Sequence, residues 1–363
     1  MYALNNKRYL SPDILDRLLY KNCLDKYTSV LGYSVENRPI LLSSFGSGER
    51  KVLFWSQMHG NESTTTRSLI QLFSDLTLKN SSLLDDLNIK VIYQLNPDGC
   101  DKYSRLNANG VDLNRDAVKR TQPESKLLFS LFNDFKPHFC INLHDQRSIY
   151  AAGDTKLPAI LSFLAPSYDQ SKSINEFRQK AMTMIGSIYK GIKAKTNWSI
   201  GRYNDNFNIN CFGDFFMSQN TPTILLEAGH HPNDFGRNIV VHEVYKSLLM
   251  LLNLFVSENQ IKSNTETYFS IPKNYDHLRD IEITNIRSLS GLSNKLFVQF
   301  HEILKGDKIY FSPYIENESS KELYGNTIID FSKFTNKSID LKQNNQKIIE
   351  KLKLFLDFSL FLE

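Results

Sequence analysis

The chain of 363 residues is 41% hydrophobic and 23% charged, ordinary globular content that is long enough for one large domain plus a smaller one. Its net charge of +4 is spread without a long Lys/Arg block or a basic-aromatic alternation, which excludes the electrostatic footprint of a nucleic-acid or membrane-surface binder. The stretch MYALNNKRYLSPDILDRLLYKNC lacks the basic head, apolar run and cleavage site of a secretory signal, and no later segment reaches about eighteen uninterrupted apolar residues, so the expected location is cytoplasmic.

In chain order, apolar β-branched runs end in chemically rich turns. KVLFWSQ runs into His59, IKVIYQL into NPDG, FCINL into His144 and TPTILL into Glu227, and each reads as a buried strand. Helical patterns lie between them, from Glu62 to about Leu78, from Glu124 to Phe135 after Pro123, and from Ser173 to about Lys195. A further helix is expected from about Asn238 to Val256. This alternation predicts an α/β fold, a mixed and mainly parallel sheet flanked by helices. Ligands of such sheets bind beyond the carboxyl ends of the strands, where these polar groups fall, so one pocket should collect them. Cys23, Cys100, Cys140 and Cys211 stand singly with no CxxC and read as reduced fillers.

From Thr265 onward the texture changes to short strand-like runs. DIEITNI is followed by KLFVQFHEI and KIYFSPYI, the last two joined as a hairpin by LKGD. Leu352, Leu354, Leu356, Phe358, Leu360 and Leu362 alternate strictly, the period of a strand with one buried face. NESSKE and KQNNQK read as exposed turns. The expected division is a first domain over 1–260 and a small β-rich domain over 261–363.

Within WSQMHGNEST, His59 precedes Glu62 by three places, a spacing that composition alone produces about half the time. Its setting, at a strand end and the first turn of a helix, lets imidazole and carboxylate face one point. A catalytic zinc site uses three protein ligands and keeps a fourth position for water, and His144, after its own compact strand, offers the third. Taken singly, His144 reads first as a hydrogen-bonded core histidine, the usual state of a lone His at a strand end. In NGVDLNRD, Asp112, Asn114 and Arg115 alternate with Leu113, and an Asn-Arg pair suits a carboxylate, Arg giving two parallel charged hydrogen bonds. Arg105 adds another fixed positive charge. A surface loop capped by Asn and Asp accounts for Asn107, Asn109 and Gly110 but leaves the two arginines unexplained.

Together these residues resemble the zinc carboxypeptidases of the M14 type. The resemblance rests on HGNE, NPDG, SRLNANGVDLNR, INLH and ILLEAG in that order, and runs from about Leu31, in LGYSVENRPI, to about Ser257. It implies one Zn2+ per chain held by His59, Glu62 and His144, with Glu227 as general base and Arg105 on the oxyanion. Asn114 and Arg115 would hold the substrate's terminal carboxylate, and Asp112 would orient His59 from behind the ligands. The family's closing phenol falls about twenty residues before the glutamate, where IGRYNDNFNINCFGDFF offers Tyr203. Arg202, Asn204, Asp205 and Asp214 in that stretch are candidates for the side-chain pocket or for loop capping, and His230 and His231 for its rim. The implied function is a zinc metallocarboxypeptidase acting on a peptide or small amide with a free carboxylate. The alternatives are a zinc-dependent deacylase of N-acyl amino acids and a non-catalytic carboxylate-binding relative.

Overall fold

The computed structural model describes residues 7–232, 234–257, 264–286, 295–316, 322–333, 339 and 343–354. The chain opens with α1 (Pro12–Lys21), the antiparallel pair β1 (Thr28–Tyr33) and β2 (Pro39–Phe45), then β3 (Arg50–Trp55) and α2 (Thr64–Leu78). Next come α3 (Leu83–Asp86), β4 (Leu87–Ile92), α4 (Pro97–Lys102), α5 (Pro123–Phe135) and β5 (Phe139–Asp145). β6 (Ala151–Ala152), β7 (Leu161–Leu164), α6 (Glu176–Lys193), β8 (Ile200–Arg202), α7 (Phe212–Ser218), β9 (Thr223–Ala228) and α8 (Asn238–Val256) follow. The chain then forms α9 (Glu266–Ser270), β10 (Asn274–Tyr275), β11 (Leu278–Thr284), β12 (Leu296–Lys305), β13 (Lys308–Ile315), β14 (Tyr324–Asp330) and α10 (Asn345–Lys353).

Eight of these strands make one mixed sheet in the order β1-β2-β4-β3-β5-β9-β7-β8. Its central four, β4, β3, β5 and β9, are parallel, so their carboxyl ends share one edge. β3, β5 and β9 are almost wholly buried, as strands covered on both faces must be, and therefore read as continuous apolar runs. The core includes Phe54, Phe73, Ile141, Met184, Leu226 and Leu252, joining the sheet to α2, α6 and α8. Among the described residues α8 is the one helix long and apolar enough to cross a membrane by length and composition. It packs against α2 and α6, which accounts for its apolar content.

A second sheet, in the order β13-β12-β11-β14, has its own cluster of Ile281, Ile283, Val298, Phe300, Ile309 and Phe311. β12 and β13 form the hairpin, paired out to Lys305 with Lys308 and closed by Gly306 at φ +63. β14 runs parallel to β11, a non-local pairing that no local pattern announces. The stretch before β11 belongs to the first layer: α9 packs on α6, and β10 pairs with β6.

Leu352 departs from the expected strand. It lies on α10, where Ile348, Ile349 and Leu352 are buried, three and four residues apart in the manner of a helix. Leu354 caps that helix, and the remaining alternating positions, Leu356 to Leu362, lie outside the described residues. KQNNQK is not a turn either, since Asn344 caps α10 by accepting from Lys347 N–H at 2.9 Å. NESSKE lies outside the described residues except for Glu322.

Candidate metal centre and substrate cleft

Four residues after the end of β3 the chain turns sharply at His59 and Gly60. A Cβ on Gly60 would sit 2.0 Å from the carbonyl carbon of Gly99, so the glycine lets the HGNE turn rest on the NPDG turn. NPDG itself opens α4: Asn96 caps the helix by accepting from Gly99 N–H at 2.9 Å. Buried Asp98 accepts from Ser34 Oγ at 2.7 Å, Glu36 N–H at 3.0 Å and Arg38 at 2.8 Å, which ties the first hairpin to the same turn. These contacts fix the backbone from which His59 and Glu62 project.

The Glu62 carboxylate faces two imidazoles, Oε1 at 2.8 Å from His59 Nδ1 and Oε2 at 2.8 Å from His144 Nδ1. The two Nδ1 atoms are 3.2 Å apart, and the three side chains are buried. Their ligating atoms all lie within 4.8 Å of one another. Two ring nitrogens and a carboxylate converging on one point form the donor set of a catalytic zinc site. The residues present therefore fit the ion that the sequence implies.

His59 Nε2 lies 3.1 Å from Asp112 Oδ1, which fixes the ring and leaves Nδ1 for the centre. The two histidines differ electrostatically. Burial works against the charged form of both, but His59 has Glu62 and Asp112 beside it and is pushed up to about 9. His144 is driven below its ordinary value by burial, with Glu62 alone opposing. Glu62 and Asp112 are held well below the carboxylate range despite burial, Glu62 by the two histidines and Asp112 by His59 and Arg105.

β9 pairs with β5 so that Glu227 lies directly across from His144 and Leu225 across from Asn142. Glu227 is buried at the cleft wall, and burial together with the nearby Glu62 carboxylate pushes its carboxyl up to about 8. Both rows open into a cleft of about 980 Å³ that also holds Arg105, Asn114, Arg115 and Tyr203. Asn114 Oδ1 accepts from Phe212 N–H at 3.1 Å, which anchors the acceptor end of its amide. Arg115 donates to its neighbour's carbonyl at 2.7 Å and to Cys211 Sγ at 3.1 Å, placing the pair at the start of α7. Arg105 grips Asp112 through Nε at 3.2 Å and Nη2 at 2.9 Å, and its Nη1 reaches 3.5 Å from Glu62.

Tyr203 lines the cleft with its hydroxyl 3.3 Å from that of Tyr150. Burial and the neighbouring Glu227 hold its phenol well above the ordinary value. Asn204 and Asp214 also line the cleft, whereas Asp205 pairs with Arg178 at 2.9 Å and Lys172 at 3.1 Å. Arg202 lies over the Tyr268 and Phe269 rings. His230 lines the cleft; His231 Nδ1 lies 2.8 Å from its neighbour's carbonyl.

Sequence reasoning missed the far wall. Asp280, Gln299, Phe300, Glu302, Phe311 and Tyr314 of the second sheet line the same cleft, joined by Phe235 from the loop after β9. Arg8 locks that wall in place: its guanidinium sits 2.7 and 2.9 Å from the Glu302 carboxylate, and its carbonyl accepts from Ser63 Oγ beside Glu62. Tyr103 donates to Glu302 at 2.6 Å. None of these positions forms a local motif. Asn142 was missed as well, although its place two residues before His144 on a strand puts it on the same face.

The zinc carboxypeptidase family model matches residues 19–190. Probable carboxypeptidase 2 of Trichophyton verrucosum is 31% identical over 134 residues, 36% of this chain and 23% of that protein. Carboxypeptidase 2 of Trichophyton rubrum is 31% identical over 135 residues with the same shares. The matched stretch thus spans about a quarter of the length of these curated relatives. Among solved structures, a metallo-carboxypeptidase from Burkholderia cenocepacia has a TM-score of 0.53 at 18% identity, covering 70% of this chain and 71% of that one. A metallo-carboxypeptidase from Pseudomonas aeruginosa, solved in complex with (2-guanidinoethylmercapto)succinic acid, has a TM-score of 0.52 at 17% identity and covers 71% of each chain. Those likenesses show the fold, and the sequence match covers the HGNE, NPDG, NGVDLNR and INLH motifs. By motif and by architecture, the chain is similar to the zinc carboxypeptidases, whose family model matches just under half of it.

Proposed function

We propose that the chain is a zinc-dependent metallocarboxypeptidase that hydrolyses the amide bond to the C-terminal residue of a peptide. One observation carries this reading: His59, Glu62 and His144 converge on a point, with Glu227 across from His144 and the Asn114-Arg115 pair in the same cleft. His59, Glu62 and His144 would hold zinc there, which would supply Lewis-acid polarisation of the scissile carbonyl and a lowered pKa for water.

The chain's own residues do the rest. Glu227, buried at the cleft wall directly across from His144, takes a proton from the attacking water and returns it to the departing amine. Arg105 turns Nη1 toward the negative charge developing on the carbonyl oxygen while its other nitrogens stay on Asp112. Arg115 gives a charged fork, and Asn114 a neutral donor, to the terminal carboxylate. Asp112 holds His59 in one tautomer. Tyr203, which lines the same cleft, covers the bound residue. The Pseudomonas aeruginosa structure, whose ligand is a substituted succinic acid, is consistent with a carboxylate-directed site.

The test compares matched free-acid and C-terminally amidated peptides with purified protein of measured zinc content. Stoichiometric zinc and hydrolysis confined to the free acids are expected. Equal hydrolysis of the two would overturn the exopeptidase reading, and stoichiometric zinc retained in His144→Ala would overturn the ligand set.

A further inference from the structure

Directly below the row of His144 and Glu227 lies the pair Asn142 and Leu225, one strand repeat deeper in the cleft. Asn142 is 1% exposed, yet neither its Oδ1 nor its Nδ2 has a hydrogen-bond partner among the described residues. Asparagines that serve this fold behave otherwise. Asn96 accepts from Gly99 N–H at 2.9 Å and Asn107 from Val111 N–H at 3.0 Å, each closing a turn. Asn142 closes none.

The space beside it is built. Gly213 in the first turn of α7 has no side chain, and a Cβ there would come 3.6 Å from Asn142 Nδ2 and 3.2 Å from Pro166 Cγ. Arg115, which donates to Cys211 two residues before Gly213, lines the same cleft. A substrate with its carboxylate on Arg115 and its scissile bond at Glu227 therefore has its terminal side chain directed toward Asn142. Leu164, Pro166 and Leu225 contribute apolar surface to the same cleft. Asp214 also borders the cleft, but its Oδ1 already accepts from Ser167 N–H at 3.0 Å.

Resting on the carboxypeptidase reading, we propose that Asn142 selects the substrate, and that the enzyme prefers C-terminal residues whose side chains end in a carboxamide. An aliphatic side chain would bury both ends of the Asn142 amide unpaired. A carboxylate would satisfy Nδ2 but confront Oδ1, and an ammonium would do the reverse. A carboxamide answers both ends with two reciprocal hydrogen bonds.

The test measures kcat/KM on a peptide series that differs only in its last residue: Gln, Asn, Leu, Met, Glu and Lys. A site built to hydrogen-bond its substrate discriminates strongly against analogues lacking the group, so Gln or Asn should exceed Leu by about 100-fold or more. Asn142→Leu should reverse that order. Uniform loss with the order unchanged would make Asn142 structural, and a native preference for Leu or Lys would overturn the proposal. Gly213→Ala fills the space beside Nδ2 and should erode the Gln preference by about tenfold, on the scale of one methyl group in a pocket. An unchanged preference would count against the pocket.

Calorimetric binding of free glutamine, leucine and lysine to the same protein separates this inference from the reading beneath it. If no peptide is cleaved, the carboxypeptidase reading fails, while tighter binding of glutamine than of leucine still supports the pocket and equal binding overturns it.

Discussion

The two sheets face the same cleft but contribute to it in different ways. The eight-stranded sheet supplies its chemistry at strand ends, where His59, His144 and Glu227 follow β3 or close β5 and β9. The four-stranded sheet supplies a wall from the middle of its strands, with Phe300 and Phe311 around Phe235 and with Glu302 locked by Arg8. Reactive groups belong near the carboxyl ends of the parallel strands because there the side chains open onto the crevice in which such sheets bind ligands. A wall needs only a surface, and that surface depends on how two distant segments dock.

The sharpest way to break this contrast is Glu227→Gln, which should lower turnover by about 10²- to 10⁴-fold with zinc content and melting temperature preserved. A near-native rate would reduce Glu227 to a structural carboxyl. Arg115→Ala comes next. Losing charged hydrogen bonds of about 1.5–3 kcal/mol should cut kcat/KM on free-acid peptides by roughly 10- to 100-fold or more, with Lys rescuing only in part. Amidated peptides should be affected far less, and an equal loss on both would remove the carboxylate clamp.

Asp112→Asn probes the support behind His59. Partners in this position typically govern 10- to 100-fold of metal affinity, which a zinc-buffer titration would read. The wall is tested by Glu302→Gln. Burial opposes the charge on Glu302, yet Arg8 and Arg237 hold its carboxyl below the ordinary range. A folded-state pKa below the unfolded value means stability present above the ordinary carboxylate pKa of about 4.3 and lost as pH falls through the folded value. The variant should lose about 1–3 kcal/mol at neutral pH and show a flatter acid limb in a melt series. An unaltered acid limb would show that the Arg8 clasp does not hold the wall. The smallest effect is expected at the exposed Lys7-Asp307 pair, 2.8 Å apart, where Asp307→Asn should leave the melting temperature unchanged.

By itself the sequence determined the strands that end in His59, His144 and Glu227, the long helices between them, and the order of the family's motifs. These signals are local: a doubly covered strand needs an unbroken apolar run, and a helix on a sheet needs one apolar face. The tertiary structure alone decided that Asp98 binds the first hairpin to the NPDG turn, that α10 rather than a strand carries Leu352, and that β14 joins β11 in parallel. It also decided that Arg8 reaches Glu302 across 294 residues and that the Asn142 amide, in the cleft wall, is buried with no partner among the described residues. The physical reason is the same throughout. Periodicity reports which face of an element is buried, but a hydrogen-bond partner or a cleft wall depends on which distant segment arrives opposite, and that is set by packing.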